Sequence, residues 1–144
     1  MALEPVHLLK TEDRYYLEDA QRAEKSYQLN KLLMTNLQTI KSSKDFQLAK
    51  KGLFVRSHSF LIQAYQSEEK LIRVGYTVSK QNGNAIIRNK IKRRLRSLAR
   101  EILSVKGKLN WNYVIIGKKN ALNEDFINLK QEFQIALKNI HRKI

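Results

Sequence analysis

An α+β sandwich, with helices packed on one sheet, is the fold class this sequence predicts, and three observations predict it. Strand-like runs and helical runs follow one another in the order α-β-β-β-α-β-α, with a group of strands ahead of a single long crossover helix. Within Leu71–Ser79, Ile72, Val74, Tyr76 and Val78 alternate with Arg73, Gly75, Thr77 and Ser79, the period of a strand with one buried face. The 144 residues, 42% hydrophobic and 28% charged, suffice for one domain with a modest core.

Residues 1–36 read as an appended segment, helical or partly disordered, ahead of a domain spanning 37–144. Good helix formers fill Glu12–Leu33 and Thr11 can cap them, but Tyr16, Leu17, Ala20, Ala23 and Tyr27 follow a helical period only loosely. Met34 is a second candidate start. From Leu37 the pattern tightens. Ser42 or Ser43 caps a short helix through Lys51, which Gly52 ends. Leu53–Arg56 is a short extended piece. Phe60–Tyr65 and Leu71–Ser79 are strands joined by the polar turn Gln66–Lys70. A turn at Lys80–Asn84 follows, where Gly83 is free to take a positive φ.

The next stretch, Asn84–Arg100 (NAIIRNKIKRRLRSLAR), has two distinct faces. Ile87, Ile91, Leu95, Leu98 and Ile102 recur at steps of three and four, an apolar stripe on a helix running to about Val105. Arg88, Lys92, Arg96 and Arg100 stand four apart, joined by Lys90, Arg93 and Arg94, with no acid among them. Like charges at that spacing repel by a few tenths of a kcal/mol per pair, a cost that a polyanion relieves. After the loop at Lys106–Lys108, Trp111–Gly117 carries Val114, Ile115 and Ile116, enough for one buried strand. Asn123 is placed to cap a last helix reaching about Arg142, with Phe126, Leu129, Phe133, Ile135, Leu137 and Ile140 on its apolar face.

Charge narrows the function. The net charge is +15 and the pI is near 10.1. Five bases face six acids before residue 37, so the whole excess, 23 bases against 7 acids, lies after it. Such a balance suits nucleic acid, an anionic membrane surface, or a merely solvated basic face; the clean charge separation and the structured turn at Gly83 favour nucleic acid. With no cysteine, a disulfide scaffold and a thiolate metal site are excluded. No apolar run is long enough to span a bilayer and no secretory pattern is visible, so a cytoplasmic protein is expected. His7, His58 and His141 lack ligand spacing. The seven acids after residue 36 are dispersed, whereas a nuclease holding two Mg²⁺ would cluster them at a strand end.

The run VGYTVSKQNGNAIIRNKIKRRLR, Val74–Arg96, resembles the signature of the bacterial ribonuclease P protein subunit: a strand ending in Ser-Lys, a Gly-Asn-Ala turn, and a basic helix with an Arg-Asn-Arg core, here Arg88-Asn89-Lys90. IKSSKDFQLAKKG, Ile40–Gly52, resembles that family's N-terminal helix with its Asp-Phe and closing Gly. The resemblance covers about residues 37–142. It implies a sandwich of the ribosomal-protein S5 domain 2-like type with a left-handed β-α-β crossover. It implies a partner of a catalytic RNA that removes the 5′ leader of precursor tRNA, the RNA supplying catalysis and holding most of the Mg²⁺. By position, Arg88, Asn89, Lys90, Lys92, Arg93 and Arg96 would contact the catalytic RNA, and Arg94 and Arg100 on the same basic helix are counted as RNA-binding with them. Phe46, Lys80 and Asn84 would lie in or near a leader cleft between sheet and N-terminal helix. A ribosome-associated structural RNA-binding protein of similar fold is the alternative.

The chain departs from that pattern. Lys90 replaces an Arg and so loses its bidentate fork. No second aromatic follows Phe46 one turn on, where Leu48-Ala49-Lys50 stand, and Gln63 occupies the place of a central-strand aromatic. Tyr65, two residues later on the same face, becomes the substitute, so leader stacking would rest on Phe46 and Tyr65. Each also has a structural reading: core packing for Phe46 and Tyr65, and a helix cap for Asn84.

Overall fold

The computed structural model describes residues 37–144 together with Gln21, Arg22, Glu24 and Lys25, which are helical. The expectations for the rest of residues 1–36, including Met34, lie outside the described residues. The elements are β1 (Leu37–Thr39), α1 (Ser43–Lys51), β2 (Leu53–Arg56), β3 (Phe60–Gln66), β4 (Ile72–Val78), α2 (Ala85–Lys106), β5 (Trp111–Gly117) and α3 (Phe126–Arg142), with 3-10 turns at Lys80–Asn82 and Lys119–Leu122. The expected mixed α+β architecture is present, with the added short strand β1.

The five strands form one sheet in the order β1-β4-β5-β3-β2. β1 and β5 run parallel to β4, while β3 runs antiparallel to both β5 and β2. Although consecutive, β3 and β4 do not pair; β5 lies between them. Tyr113, Val114 and Ile115 explain this, for all three are buried. A strand apolar on both faces is stable only at the centre of a sheet covered on both sides. α2 and α3 cover one face through Ile91, Leu95, Leu98, Phe133 and Leu137, packed on Phe60, Ile62, Val74 and Ile115. α1 covers the other through Ala49 and Phe46, packed on Val114 and Ile40.

The caps follow the sequence at two helices and depart from it at the third. Ser42 caps α1, its hydroxyl accepting from the Lys44 N–H at 3.2 Å. Asn84 caps α2, its Oδ1 accepting from the Ile87 N–H at 3.0 Å. Gly83 takes a φ of 143°, and a Cβ there would meet Ile87 Cγ2 at 2.9 Å, so this turn requires glycine. Asn123, expected to cap the last helix, does not. α3 starts at Phe126, with Asp125 in the cap position making no side-chain bond. The intervening backbone is held elsewhere, as described below. Ile135 is also misplaced by the periodicity: it lies two residues past buried Phe133, about 200° around the helix, and is 62% exposed.

A part-buried polar pair ties α3 to β5. The Tyr113 hydroxyl stands 2.8 Å from His141 Nε2 and accepts from the Lys108 N–H at 3.1 Å. Burial pushes the Tyr113 pKa up to about 12, so the hydroxyl keeps its proton across the neutral range. Burial, and then the charge of Lys108, lower the His141 pKa from 6.5. A base whose folded pKa is depressed stabilises the fold above its unfolded value and loses that contribution as pH falls through the folded one. The melting temperature is therefore expected to drop on acidification below about pH 6.5 and to level off lower down. In His141→Asn that step should be missing from the melting profile; its persistence would place the titration elsewhere.

Candidate nucleic-acid interface

The basic helix α2 is fixed by its apolar stripe. Ile91, Leu95, Leu98 and Ile102 are buried, and half-buried Ile87 packs against the same core. With that side pinned to β4 and β5, Asn89, Lys90, Arg93, Arg96 and Arg100 are exposed on the opposite side. Asn89 to Arg100 spans about 17 Å along the axis. Arg88 and Lys92 are half-buried on one flank, and Arg88 Nε is buried with no hydrogen-bond partner among the described residues. Arg96 lies with Cζ 5.5 Å from the centre of the Tyr76 ring. Burial pushes the Tyr76 hydroxyl to about 12, while Arg96 and Arg100 pull it the other way.

The bases of α2 have no acidic partner among the described residues. Among the described residues the ion pairs are Arg73 with Glu69 and Lys130 with Glu101; neither involves a base of α2. The helix therefore presents a one-signed row to solvent.

Arg94 differs from its neighbours. It lies on the flank facing the Lys119–Leu122 turn, and Nη1 donates to the carbonyls of Ala121 and Leu122, each at 2.6 Å. Nη2 donates to the carbonyl of Glu124. Three of the donors of Arg94, expected to reach RNA, are thus engaged by backbone carbonyls, and this clamp holds Asn123 outside the helix it was expected to cap. A charged donor to several part-buried acceptors contributes about 1.5–3 kcal/mol. Arg94→Ala is expected to lose about that much in a denaturant titration while leaving the salt slope of RNA binding unchanged. A reduced slope at full stability would assign it to RNA instead.

On the other face of the sheet, α1 and the strands enclose a groove of about 240 Å³, lined by Phe46, Lys50, Gln63, Thr77, Val114 and Ile116 among others. Phe46 lies directly over Gly75, where a Cβ would come within 2.8 Å of its ring; the bare backbone lets the ring lie against the sheet. Lys80 is exposed just beyond the strand end that carries Thr77. Asn84 is exposed too, and its side-chain oxygen is engaged in the cap. The end of β4 thus joins the groove to the start of the cationic helix.

Tyr65 does not join them. Its hydroxyl accepts from Asn112 Nδ2 at 2.9 Å, its ring packs beneath α1 with Ile40, Ala49 and Val114, and burial, opposed by Asn112 and reinforced by Asp45, raises its pKa. It seats the helix rather than lining the groove. Lys50 and Thr77 were missed; only the tertiary path of α1 brings them together. Among the described residues no three His, Asp or Glu side chains converge on a possible cation site. Glu132 is occupied by the Ser57 hydroxyl and the Ser59 N–H, and Glu124 by Asn128.

Comparison with known proteins agrees with this architecture. The family model described as Ribonuclease P matches residues 34–141. The ribonuclease P protein component of Erythrobacter litoralis is 35% identical over 99 residues, covering 69% of this chain and 82% of the relative. That of Streptococcus agalactiae is 38% identical over 101 residues, covering 69% and 90%. The solved Staphylococcus aureus RNase P protein superposes with a TM-score of 0.60 at 30% identity, covering 69% of this chain and 92% of that one. The Thermotoga maritima RNase P protein, at 24% identity, shares the fold with a TM-score of 0.63, covering 72% and 97%.

Proposed function

This chain belongs to the ribonuclease P protein family, and from that premise we propose that α2 docks on the catalytic RNA of ribonuclease P while the groove beside α1 holds the 5′ leader of precursor tRNA. The observation that carries this reading is the row of exposed bases on α2, unneutralised among the described residues and continuous at the β4 end with an aromatic-floored groove. Folded RNA offers phosphates in fixed positions, and each phosphate neutralised by a base releases counterions. A leader is single-stranded, so its bases can stack on a flat ring while its phosphates meet lysines. Phe46 supplies the ring, and Lys50 and Lys80 the charge. Asn89, Lys90, Lys92, Arg93, Arg96 and Arg100, with the flanking Arg88, are the RNA-docking set.

Catalysis is assigned to the RNA partner, which would hold the Mg²⁺ that activates water and stabilises the leaving oxygen. The protein positions: it fixes one RNA against α2 and the substrate's leader against Phe46. The place of action inferred is the cytoplasm; among the described residues no helix is long and apolar enough to cross a membrane.

Reconstitution tests this. The purified chain, mixed with a bacterial ribonuclease P RNA at limiting Mg²⁺, should release an intact leader and a mature 5′ end from precursor tRNA faster than the RNA alone. A protein that binds the RNA without raising the rate or the affinity for precursor would refute the proposal.

A further inference from the structure

The second face of the sheet carries an aromatic that the leader reading does not use. Phe54 is 48% exposed on edge strand β2. It is out of phase with Leu53 and Val55, which pack on the core, so it belongs to the face that carries α1. The register locates it further. Phe54 pairs with Gln63, Gln63 with Val114, and Val114 with Gly75, the residue beneath Phe46. Paired residues in adjacent strands share a face at a spacing of about 4.8 Å. One sheet face therefore runs from Gly75, beneath Phe46, across Val114 and Gln63 to Phe54.

Two cations lie over the ring. Arg56 Cζ lies 5.8 Å from its centre and Lys143 Nζ lies 5.5 Å from it. Lys143 reaches there from the end of α3 and also donates to the Phe54 carbonyl at 3.0 Å. These separations are near the outer limit of a cation–π contact, so each charge can turn to a phosphate while the ring receives a base. A flat ring beneath two movable side-chain cations, in line with a groove, has the make-up of a single-strand subsite.

We propose that Phe54, with Arg56 and Lys143, forms a distal stacking platform for leader nucleotides beyond those held at Phe46. On this chain the aromatic missing at Gln63 is replaced one strand outward. The proposal rests on the leader reading of the groove, and it adds a dependence on leader length.

The test uses the reconstituted holoenzyme and precursor tRNAs with leaders of one nucleotide and of about ten, the latter long enough to cross the sheet. Phe54→Ala is expected to weaken binding of the long-leader precursor about five- to tenfold and to leave the short-leader precursor unchanged. Phe54→Trp should restore the long-leader affinity, while Phe54→Leu, which keeps bulk without a π face, should not. If Phe54→Ala affects both precursors equally, or only lowers the melting temperature, the ring serves merely to seat Lys143 and the platform is refuted. Phe46→Ala run in parallel separates the two ideas. If it too fails to distinguish precursor from mature tRNA, the leader reading itself has failed; if it distinguishes them while Phe54→Ala has no length dependence, only the platform has.

Discussion

Replacing Lys90, Arg93, Arg96 and Arg100 together by alanine is expected to reduce affinity for the catalytic RNA about a thousandfold at about 0.1 M salt and to lower the salt slope by about three units. The magnitude follows from counterion release. Each phosphate contact contributes about 0.7–0.9 to the slope of log K against log salt, so four contacts amount to about three decades at that concentration. The fold should survive because all four side chains are exposed. Alanine is a better helix former than the residues it replaces, and like-charge repulsion is removed, so stability should hold or rise. Filter binding across a salt series, with circular dichroism on the same variant, measures both. An unchanged slope would mean that RNA docks on some other surface. Arg94→Ala should behave in the opposite sense, losing stability and keeping the slope, although it is one residue from Arg93.

Phe46→Ala is expected to cost about 1–3 kcal/mol in the binding of precursor tRNA, the usual contribution of one stacked base, and nothing for mature tRNA. Fluorescence titration of the holoenzyme with each tRNA reads this directly. Phe46 is also part of the contact between α1 and the sheet, so truncation alone would confuse stacking with packing. Phe46→Leu separates them: it keeps apolar contact over Gly75 but has no flat face. The leucine variant should melt close to the parent and still lose preference for precursor. Full precursor affinity in Phe46→Leu would reduce Phe46 to a packing residue and move the leader elsewhere.

The parts of this molecule legible in its sequence are those encoded by neighbours a few residues apart. The stripe Ile87–Ile102, the caps at Ser42 and Asn84 and the positive φ at Gly83 depend on spacings of two to four residues, and all stand where those spacings put them. Local reading fails where a residue answers to a distant partner. Arg94 has the same local surroundings as Arg93, yet three carbonyls some thirty residues later claim it, and the same contacts move the cap position of the last helix from Asn123 to Asp125. Tyr65 shares a face with Gln63, but α1 crosses that face on the Tyr65 side. β1 is too short to show a period; only its parallel pairing to β4 makes it a strand.

The sequence by itself determined that a cationic helix, dry on one side and without an acid from Asn84 to Arg100, would be presented by a small α+β domain, because helical periodicity and charge are properties of consecutive residues. Only the tertiary structure decided that β5 separates β3 from β4, that Phe46 rests on Gly75, and that Phe54, Gln63, Val114 and Gly75 form one row. Strand order and register come from burying a doubly apolar strand at the centre of the sheet, a choice made by the whole chain at once and written in no single stretch of it.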